Sequence, residues 1–171
     1  MLFLISSAVT CFVSFIQRAY KQNVKLIGLC FGHQILAESL GGKAEKSKKG
    51  WGVGAMESNL LEQAEWMPKK VDVLCLLYSH QDQVTCLPPN AKPLYSSDFC
   101  QHAAFYIPKR VLSFQGHPEF TVDYSHRLMF IRQETYAEGQ YEQAVKSLEK
   151  PLHSNVLAHW ILNFIYEDAL L

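Results

Sequence analysis

Cys30 lies in a stretch whose residue types and order suit a catalytic nucleophile. The stretch, residues 28–34, reads GLCFGHQ and stands between an apolar, strand-like run and a run of helix-forming residues. A glycine two positions to each side of a cysteine is typical of the sharp strand-to-helix turn that presents a nucleophile. The pattern predicts a turn too tight for a Cβ at either glycine, and a thiolate favoured by the N-terminus of the helix. The alternative is a buried, structural cysteine at the end of a strand.

A second stretch, residues 115–119 (QGHPE), supplies the other groups that cysteine chemistry needs. A cysteine nucleophile requires a base, and the base requires an acceptor that orients it. Pro118 disfavours a helical conformation for the residue before it, and residues two apart in an extended segment face the same way. We therefore expect His117 and Glu119 to point together from the end of the apolar strand that precedes them.

Together, the two stretches resemble the class I, or triad, glutamine amidotransferase family, and in particular its stand-alone members similar to GMP synthase. The resemblance runs from about Val24 to about Met129. Four further stretches fit the same family: residues 50–54, 78–84, 96–100 and 103–105.

The resemblance implies an enzyme with a Cys30, His117 and Glu119 triad. Such a triad hydrolyses the side-chain amide of glutamine through a γ-glutamyl thioester and releases ammonia, with no cofactor and no metal. The backbone N–H of Phe31 is implied to be one donor of the oxyanion hole. No synthetase sequence is present, so an enzyme that accepts the ammonia would be a separate chain.

The resemblance also implies three substrate-binding residues, with Gln34 holding glutamine and His80 and Asp82 forming one wall of the cleft. For His80 and Asp82, the residues alone leave a second interpretation open, which is a loop stabilised by Asp82. A gamma-glutamyl peptidase or hydrolase with the same triad remains an alternative to the amidotransferase. A non-catalytic remnant is the third possibility.

Composition limits the classes of protein and of partner. The 171 residues suffice for one domain (residues 1–171), and 16 basic residues cancel 16 acidic ones, so no nucleic-acid partner is expected. Five cysteines without a C-x-x-C pair predict a reducing, cytoplasmic location and no disulfide framework.

The apolar N-terminus, residues 1–16, lacks the basic start of a signal peptide and contains several serines and a threonine. We expect a strand over Leu2–Ile5 followed by a helix, and no membrane partner, although a membrane or export signal is the alternative. The helix is predicted to bury one face, formed by Phe12, Phe15, Ile16 and Ala19.

The rest of the chain alternates between strand-like and helix-like runs. Residues 43–49 are rich in lysine and predict a solvated loop or, alternatively, a phosphate-binding one. Residues 103–107 and 111–115 predict a hairpin that delivers His117. Thr121 or Asp123 is expected to cap the next helix, and Trp160 is expected to pack in the core from the last one.

These elements favour an α/β sheet covered by helices on both faces. The family resemblance implies a flavodoxin-like, three-layer α/β/α sandwich that here lacks its first βα portion. The glycine-containing loop that donates to the oxyanion hole in the family has no glycine in this chain, where residues 5–8 read ISSA. A sheet lacking its first strands would have an uncovered edge, so we also expect a homodimer or poor solubility.

Overall fold

The structure, a computed structural model, describes residues 7–166, and within them helices and strands alternate along the chain. The five α-helices are α1 (Ser7–Lys21), α2 (Phe31–Ser39), α3 (Val122–Arg132), α4 (Gln140–Ser147) and α5 (Ser154–Tyr166). The eight strands are β1 (Leu26–Leu29), β2 (Lys43–Lys46), β3 (Gly52–Leu60), β4 (Val73–His80), β5 (Asp82–Cys86), β6 (Lys92–Ser96), β7 (Ala104–Ile107) and β8 (Val111–Phe114). No helix in this part of the chain is both long and apolar enough to span a bilayer.

Six strands form one mixed sheet in the order β1-β8-β7-β6-β3-β4, and β2 pairs with β5 in a second, two-stranded sheet. Strands β1 and β8 are parallel, with Leu26 opposite Val111 and Leu29 opposite Phe114. The carboxyl ends of these two strands therefore lie side by side at one edge of the sheet. The chemistry is expected there, since Cys30 directly follows β1 and the second stretch directly follows β8.

Alternation along β7 and β8 divides the core into two layers. Phe105, Ile107 and Val111 pack with Ile16 of α1 and Ile35 of α2 on one face of the sheet. The alternate side chains of these strands point to the other face of the sheet and pack against α5. The hydrophobic cluster on that face includes Tyr106, Leu112, Phe114, Leu157, Trp160 and Phe164. The chain is thus a three-layer α/β/α sandwich, and the prediction that Trp160 packs in the core is confirmed.

The predicted N-terminal helix is present as α1, but the predicted buried face is wrong in part. Ile16 and Ala19 are buried, whereas Phe12 and Phe15 are 44% and 54% exposed. Val9 and Val13 pack beside Ile16 instead, because the face that meets α2 is rotated towards these valines. The strand expected at Leu2–Ile5 lies outside the described residues.

A segment expected to be a loop forms one strand of the small sheet. Residues 43–46 pair antiparallel with β5, with Lys46 opposite Asp82, so the prediction of a solvated loop there is wrong. Val84 of β5 is buried among residues of α2 and the main sheet, and this burial anchors the pair. The lysine-rich strand has no apolar alternation of its own, which is why no local pattern indicated a strand there.

Thr121 is the N-cap of α3, because its Oγ1 accepts a hydrogen bond from the Tyr124 N–H at 3.1 Å. Of the two caps that the sequence allowed, the structure therefore selects Thr121 over Asp123. The predicted hairpin of β7 and β8 is also present, with Ala104 opposite Phe114. Lys109 at its turn has a positive φ of 61°.

Candidate active site

Cys30 occupies the single residue between β1 and α2, and its backbone is strained. Its φ of 48° and ψ of −104° lie in a region that non-glycine residues rarely adopt. The Cys30 N–H donates to the Phe114 carbonyl oxygen at 2.9 Å, which continues the pairing of β1 and β8 through the turn. The strand on one side and the helix on the other hold this conformation, as expected for an elbow that presents a nucleophile.

The two glycines of the turn differ in the space available for a side chain. A Cβ at Gly28 would lie 2.5 Å from Leu36 Cδ1 and 2.7 Å from the Gly32 carbonyl oxygen, so only glycine fits. A Cβ at Gly32 would meet nothing within 4 Å. The prediction of a tight fit is therefore confirmed at Gly28 and wrong at Gly32, which faces open space at the start of α2.

The Cys30 thiol is harder to ionise than the sequence suggested. Desolvation by burial raises the pKa of Cys30 to about 11, and the negative charge of Glu119 adds to the rise. Hydrogen bonds from the Phe31 backbone N–H and the Gln115 side chain act in the opposite direction, although they are outweighed. The helix N-terminus does favour the thiolate as expected, but burial is the larger effect.

His117 and Glu119 meet as the sequence predicted. His117 Nδ1 lies 2.7 Å from Glu119 Oε1, and the imidazole is far less exposed than the carboxylate, at 13% against 50%. The His117 backbone N–H donates to the Leu77 carbonyl oxygen at 2.8 Å, which ties the segment to β4. The ring also stacks on Phe120, with centroids 3.8 Å apart. Because a carboxylate only accepts, Nδ1 carries the proton and Nε2 is left as the basic nitrogen.

Gln34 and Gln115 are both buried and join the two halves of the site. The Gln115 Nε2 donates to Cys30 Sγ at 3.6 Å, and its Oε1 accepts from Gln34 Nε2 at 3.1 Å. Gln34 Nε2 also donates to the Asp82 carbonyl oxygen at 2.6 Å. Gln115 was not among the site residues predicted from the sequence. Its position directly before Gly116 in the second stretch was the available signal.

His80 lies beside the site and is held by the backbone. Its Nδ1 donates to the Asp82 carbonyl oxygen at 2.9 Å, and its side chain is buried. Burial, with a smaller contribution from the charge of His117, lowers the pKa of His80 to about 4. The same Asp82 oxygen accepts from Gln34, so Asp82 organises this side of the site through its main chain. Direct binding of substrate by His80, Asp82 or Gln34 stays a prediction.

His33 is a buried residue of α2 whose side chain connects this helix to β8. Its Nε2 lies 3.0 Å from the His102 carbonyl oxygen and its Nδ1 2.7 Å from Ser113 Oγ. Because the carbonyl can only accept, Nε2 carries the proton and Nδ1 accepts from the serine hydroxyl. Complete burial lowers the pKa of His33 to about 3, so the ring remains neutral and structural.

The arrangement brings together a thiol, a histidine hydrogen-bonded to a carboxylate, and backbone N–H groups at the start of α2. These are the groups that acyl transfer through a thioester uses. The segment at residues 5–8, where a second oxyanion donor would be expected, lies largely outside the described residues.

Residues 5–133 match the family model described as glutamine amidotransferase class-I. A glutamine amidotransferase-like protein of Schizosaccharomyces pombe is 34% identical over 85% of this chain and 59% of its own length. Gamma-glutamyl peptidase 2 of Arabidopsis thaliana is 28% identical over 74% of this chain and 53% of its own length. A glutamine-hydrolyzing GMP synthase subunit of Methanosphaera stadtmanae is 34% identical over 57% of this chain and 52% of its own length.

The fold has solved counterparts. The crystal structure of a glutamine amidotransferase from Thermotoga maritima superposes with a TM-score of 0.77 at 18% identity, over 92% of this chain and 69% of that one. At this identity the likeness concerns the fold alone. The chain thus spans between 52% and 59% of the lengths of the three curated relatives.

Proposed function

The chain belongs to the class I glutamine amidotransferase family, and we propose that it hydrolyses a γ-glutamyl amide with Cys30, His117 and Glu119 as its triad. The observation that carries the proposal is the placement of the strained Cys30 elbow and the His117–Glu119 pair after two neighbouring parallel strands. The preferred substrate is the side-chain amide of glutamine, and the products are glutamate and ammonia.

In the first half of the reaction, His117 Nε2 removes the Cys30 thiol proton as the sulfur attacks the amide carbonyl carbon. The pKa of Cys30, near 11, favours a neutral thiol before substrate arrives, so this proton transfer accompanies the attack. The imidazolium then protonates the nitrogen of the tetrahedral intermediate. The C–N bond breaks, ammonia leaves and a γ-glutamyl thioester forms on Cys30.

In the second half, water attacks the thioester while His117 takes its proton. Collapse of the second tetrahedral intermediate releases glutamate and returns the proton to the sulfur. Glu119 keeps the proton of the imidazole on Nδ1 and stabilises the imidazolium in both halves. The Phe31 N–H acts on the Cys30 sulfur in the resting structure, and we propose that it donates to the oxyanion in both halves.

The experiment that tests this proposal is ammonia release from glutamine by the chain and by two cysteine variants. Cys30→Ala should reduce release to the background level. Cys86→Ala replaces an exposed cysteine on β5 and should leave release unchanged. Equal release from all three proteins, or release that survives in Cys30→Ala, would rule out the proposed triad.

A gamma-glutamyl peptidase activity is the second candidate, supported by the similarity to the Arabidopsis gamma-glutamyl peptidase. The same steps apply, except that the leaving group is the amino group of an amino acid or a peptide rather than ammonia. A γ-glutamyl dipeptide assayed beside glutamine separates the two: the peptidase releases the free amino acid and leaves glutamine intact. A chain inactive on both substrates would be the non-catalytic alternative.

A separate synthetase is the partner that an amidotransferase activity implies. The similarity to a subunit of GMP synthase supports this, because a protein so named belongs to an assembly. We therefore propose that a second chain uses the ammonia.

A further inference from the structure

A chain of three hydrogen bonds runs from the main chain of β5 to the candidate nucleophile. It begins at the Asp82 carbonyl oxygen, passes through the amides of Gln34 and Gln115, and ends at the Cys30 sulfur. The side chains that carry it are deeply buried, with Gln115 0% and Gln34 5% exposed. Such burial of two amides is costly unless each polar atom has a suitable partner.

The direction of this chain is fixed by its first acceptor. A carbonyl oxygen only accepts, so Gln34 must turn its Nε2 towards Asp82, and the same nitrogen then faces Gln115. Gln115 in turn must present Oε1 to Gln34, which leaves its Nε2 to face Cys30. A flip of either amide would bring two donors or two acceptors together, so the neighbours hold an N–H, and not an oxygen, against the sulfur.

We propose that Gln34 and Gln115 are positioning residues that hold one amide N–H on the Cys30 sulfur, with Gln34 acting through Gln115. The proposal rests on the proposed function for its role in catalysis, although the hydrogen bonds themselves do not. The donor stabilises negative charge on sulfur as the thiol proton leaves, and it fixes the direction of attack.

This role differs from holding the substrate. Gln34 Nε2 has two hydrogens and two acceptors, the Asp82 carbonyl oxygen and Gln115 Oε1. A hydrogen bond from this nitrogen to a substrate would require one of these to break. This nitrogen of Gln34 is therefore committed to the protein, so removal of the side chain should alter the sulfur whether or not its Oε1 contacts the substrate.

Several other groups act on the same sulfur and must be constant in any test. The Phe31 N–H follows it in the chain, and Glu119, paired with His117, adds negative charge from the segment after β8. Tyr78 of β4 interacts electrostatically with Cys30 but is itself buried with a raised pKa, so it stays neutral over the useful range of pH. Substitutions at the two glutamines leave all of these groups in place.

The test measures how fast iodoacetamide alkylates Cys30 at pH 8, with the modified peptide identified by mass spectrometry among those of the five cysteines. The variants are Gln115→Met, Gln34→Met and the double variant, since methionine keeps the length of the side chain and removes the donor. We expect Gln115→Met to slow alkylation about three- to tenfold. Loss of one such hydrogen bond corresponds to roughly one pKa unit, and the more basic thiolate partly compensates by reacting faster.

Gln34→Met should slow alkylation in the same direction but less, because the donor remains and only its orientation is lost. The double variant should be no slower than Gln115→Met, because Gln34 acts only through Gln115. Gln83→Met is the matched control: Gln83 is a buried glutamine on β5 whose Nε2 has no hydrogen-bond partner among residues 7–166. It should leave the alkylation rate unchanged.

Additive effects of the two substitutions, or unchanged alkylation in Gln115→Met, would overturn the proposal. If Gln115→Met does not fold by circular dichroism, Gln34→Met decides the question, since unchanged alkylation with a raised KM would assign Gln34 to the substrate instead. The alkylation rate needs no turnover. A chain inactive on both glutamine and the γ-glutamyl dipeptide would therefore refute the proposed function, while the alkylation rates would still test the chain of hydrogen bonds.

Discussion

At the scale of single residues, the Cys30 sulfur is subject to two opposing influences. Burial and the charge of Glu119 raise its pKa, while the Phe31 N–H and the Gln115 amide lower it. The first pair is stronger, so the resting sulfur holds its proton at neutral pH. Reactivity then depends on the base beside it and on donors that act as charge develops, rather than on a preformed thiolate.

Replacement of Glu119 by glutamine should change the sulfur and the catalytic rate in opposite directions. Without the negative charge, the pKa of Cys30 falls, so alkylation by iodoacetamide at pH 8 becomes faster. Turnover of glutamine should fall at least about 100-fold, because the amide no longer stabilises the imidazolium of His117. The two measurements are the alkylation rate of Cys30 and ammonia release on the same preparation.

Glu138→Gln is the control for this prediction, since Glu138 is an exposed carboxylate in the segment between α3 and α4. It should change neither quantity. Slower alkylation in Glu119→Gln would contradict the assigned sign of its electrostatic effect. Unchanged turnover would contradict its role in the triad.

At the scale of elements, the sequence was informative where the signal is local. The elbow, the hairpin and the cap at Thr121 follow from glycine, proline and threonine at fixed positions, and each was predicted within a few residues. The β2–β5 pair was missed because its stability comes from contacts with α2, which no local pattern records. The contact of Gln115 with Cys30 joins residues 85 positions apart, so only the folded chain reveals it.

The elbow itself offers a matched pair of substitutions. Gly28→Ala should destabilise the fold by about 1–3 kcal/mol, because its Cβ would overlap Leu36 and the backbone of Gly32. Gly32→Ala should be neutral or stabilising by about 0.5 kcal/mol, since space is open there and alanine favours a helix. Urea unfolding of both variants measures the difference. Equal losses of stability would show that the two positions are equally constrained.

At the scale of the whole molecule, apolar contacts hold the helices against the sheet, and a few buried polar side chains form hydrogen bonds between neighbouring elements. His33 joins α2 to β8, and His80 joins the end of β4 to the start of β5. The outer side of α1 is different, because Phe12 and Phe15 stack on each other in an exposed position. The homodimer expected from an uncovered sheet edge stays a prediction.

The two buried histidines make stability depend on pH. Burial lowers their pKa values to about 3 for His33 and about 4 for His80, whereas an unfolded histidine titrates near 6.5. Between these limits the unfolded chain binds protons that the folded chain excludes, so acid favours unfolding. The stabilisation is complete above pH 6.5 and decreases as the pH falls towards the folded values.

Urea unfolding at pH 7 and pH 5 should therefore show a loss of about 2 kcal/mol for each buried histidine. His33→Gln removes one of the titrating rings, so this variant should lose about 2 kcal/mol less free energy of unfolding between pH 7 and pH 5 than the unmodified chain. Its stability at pH 7 will nevertheless be lower, because the buried hydrogen bonds of His33 are lost. His126→Gln, at an exposed position on α3, should show the full loss. If His33→Gln and the unmodified chain lose the same free energy of unfolding between pH 7 and pH 5, His33 is not held neutral by burial. The buried contact of His33 between α2 and β8 would then have to accommodate a protonated imidazole ring.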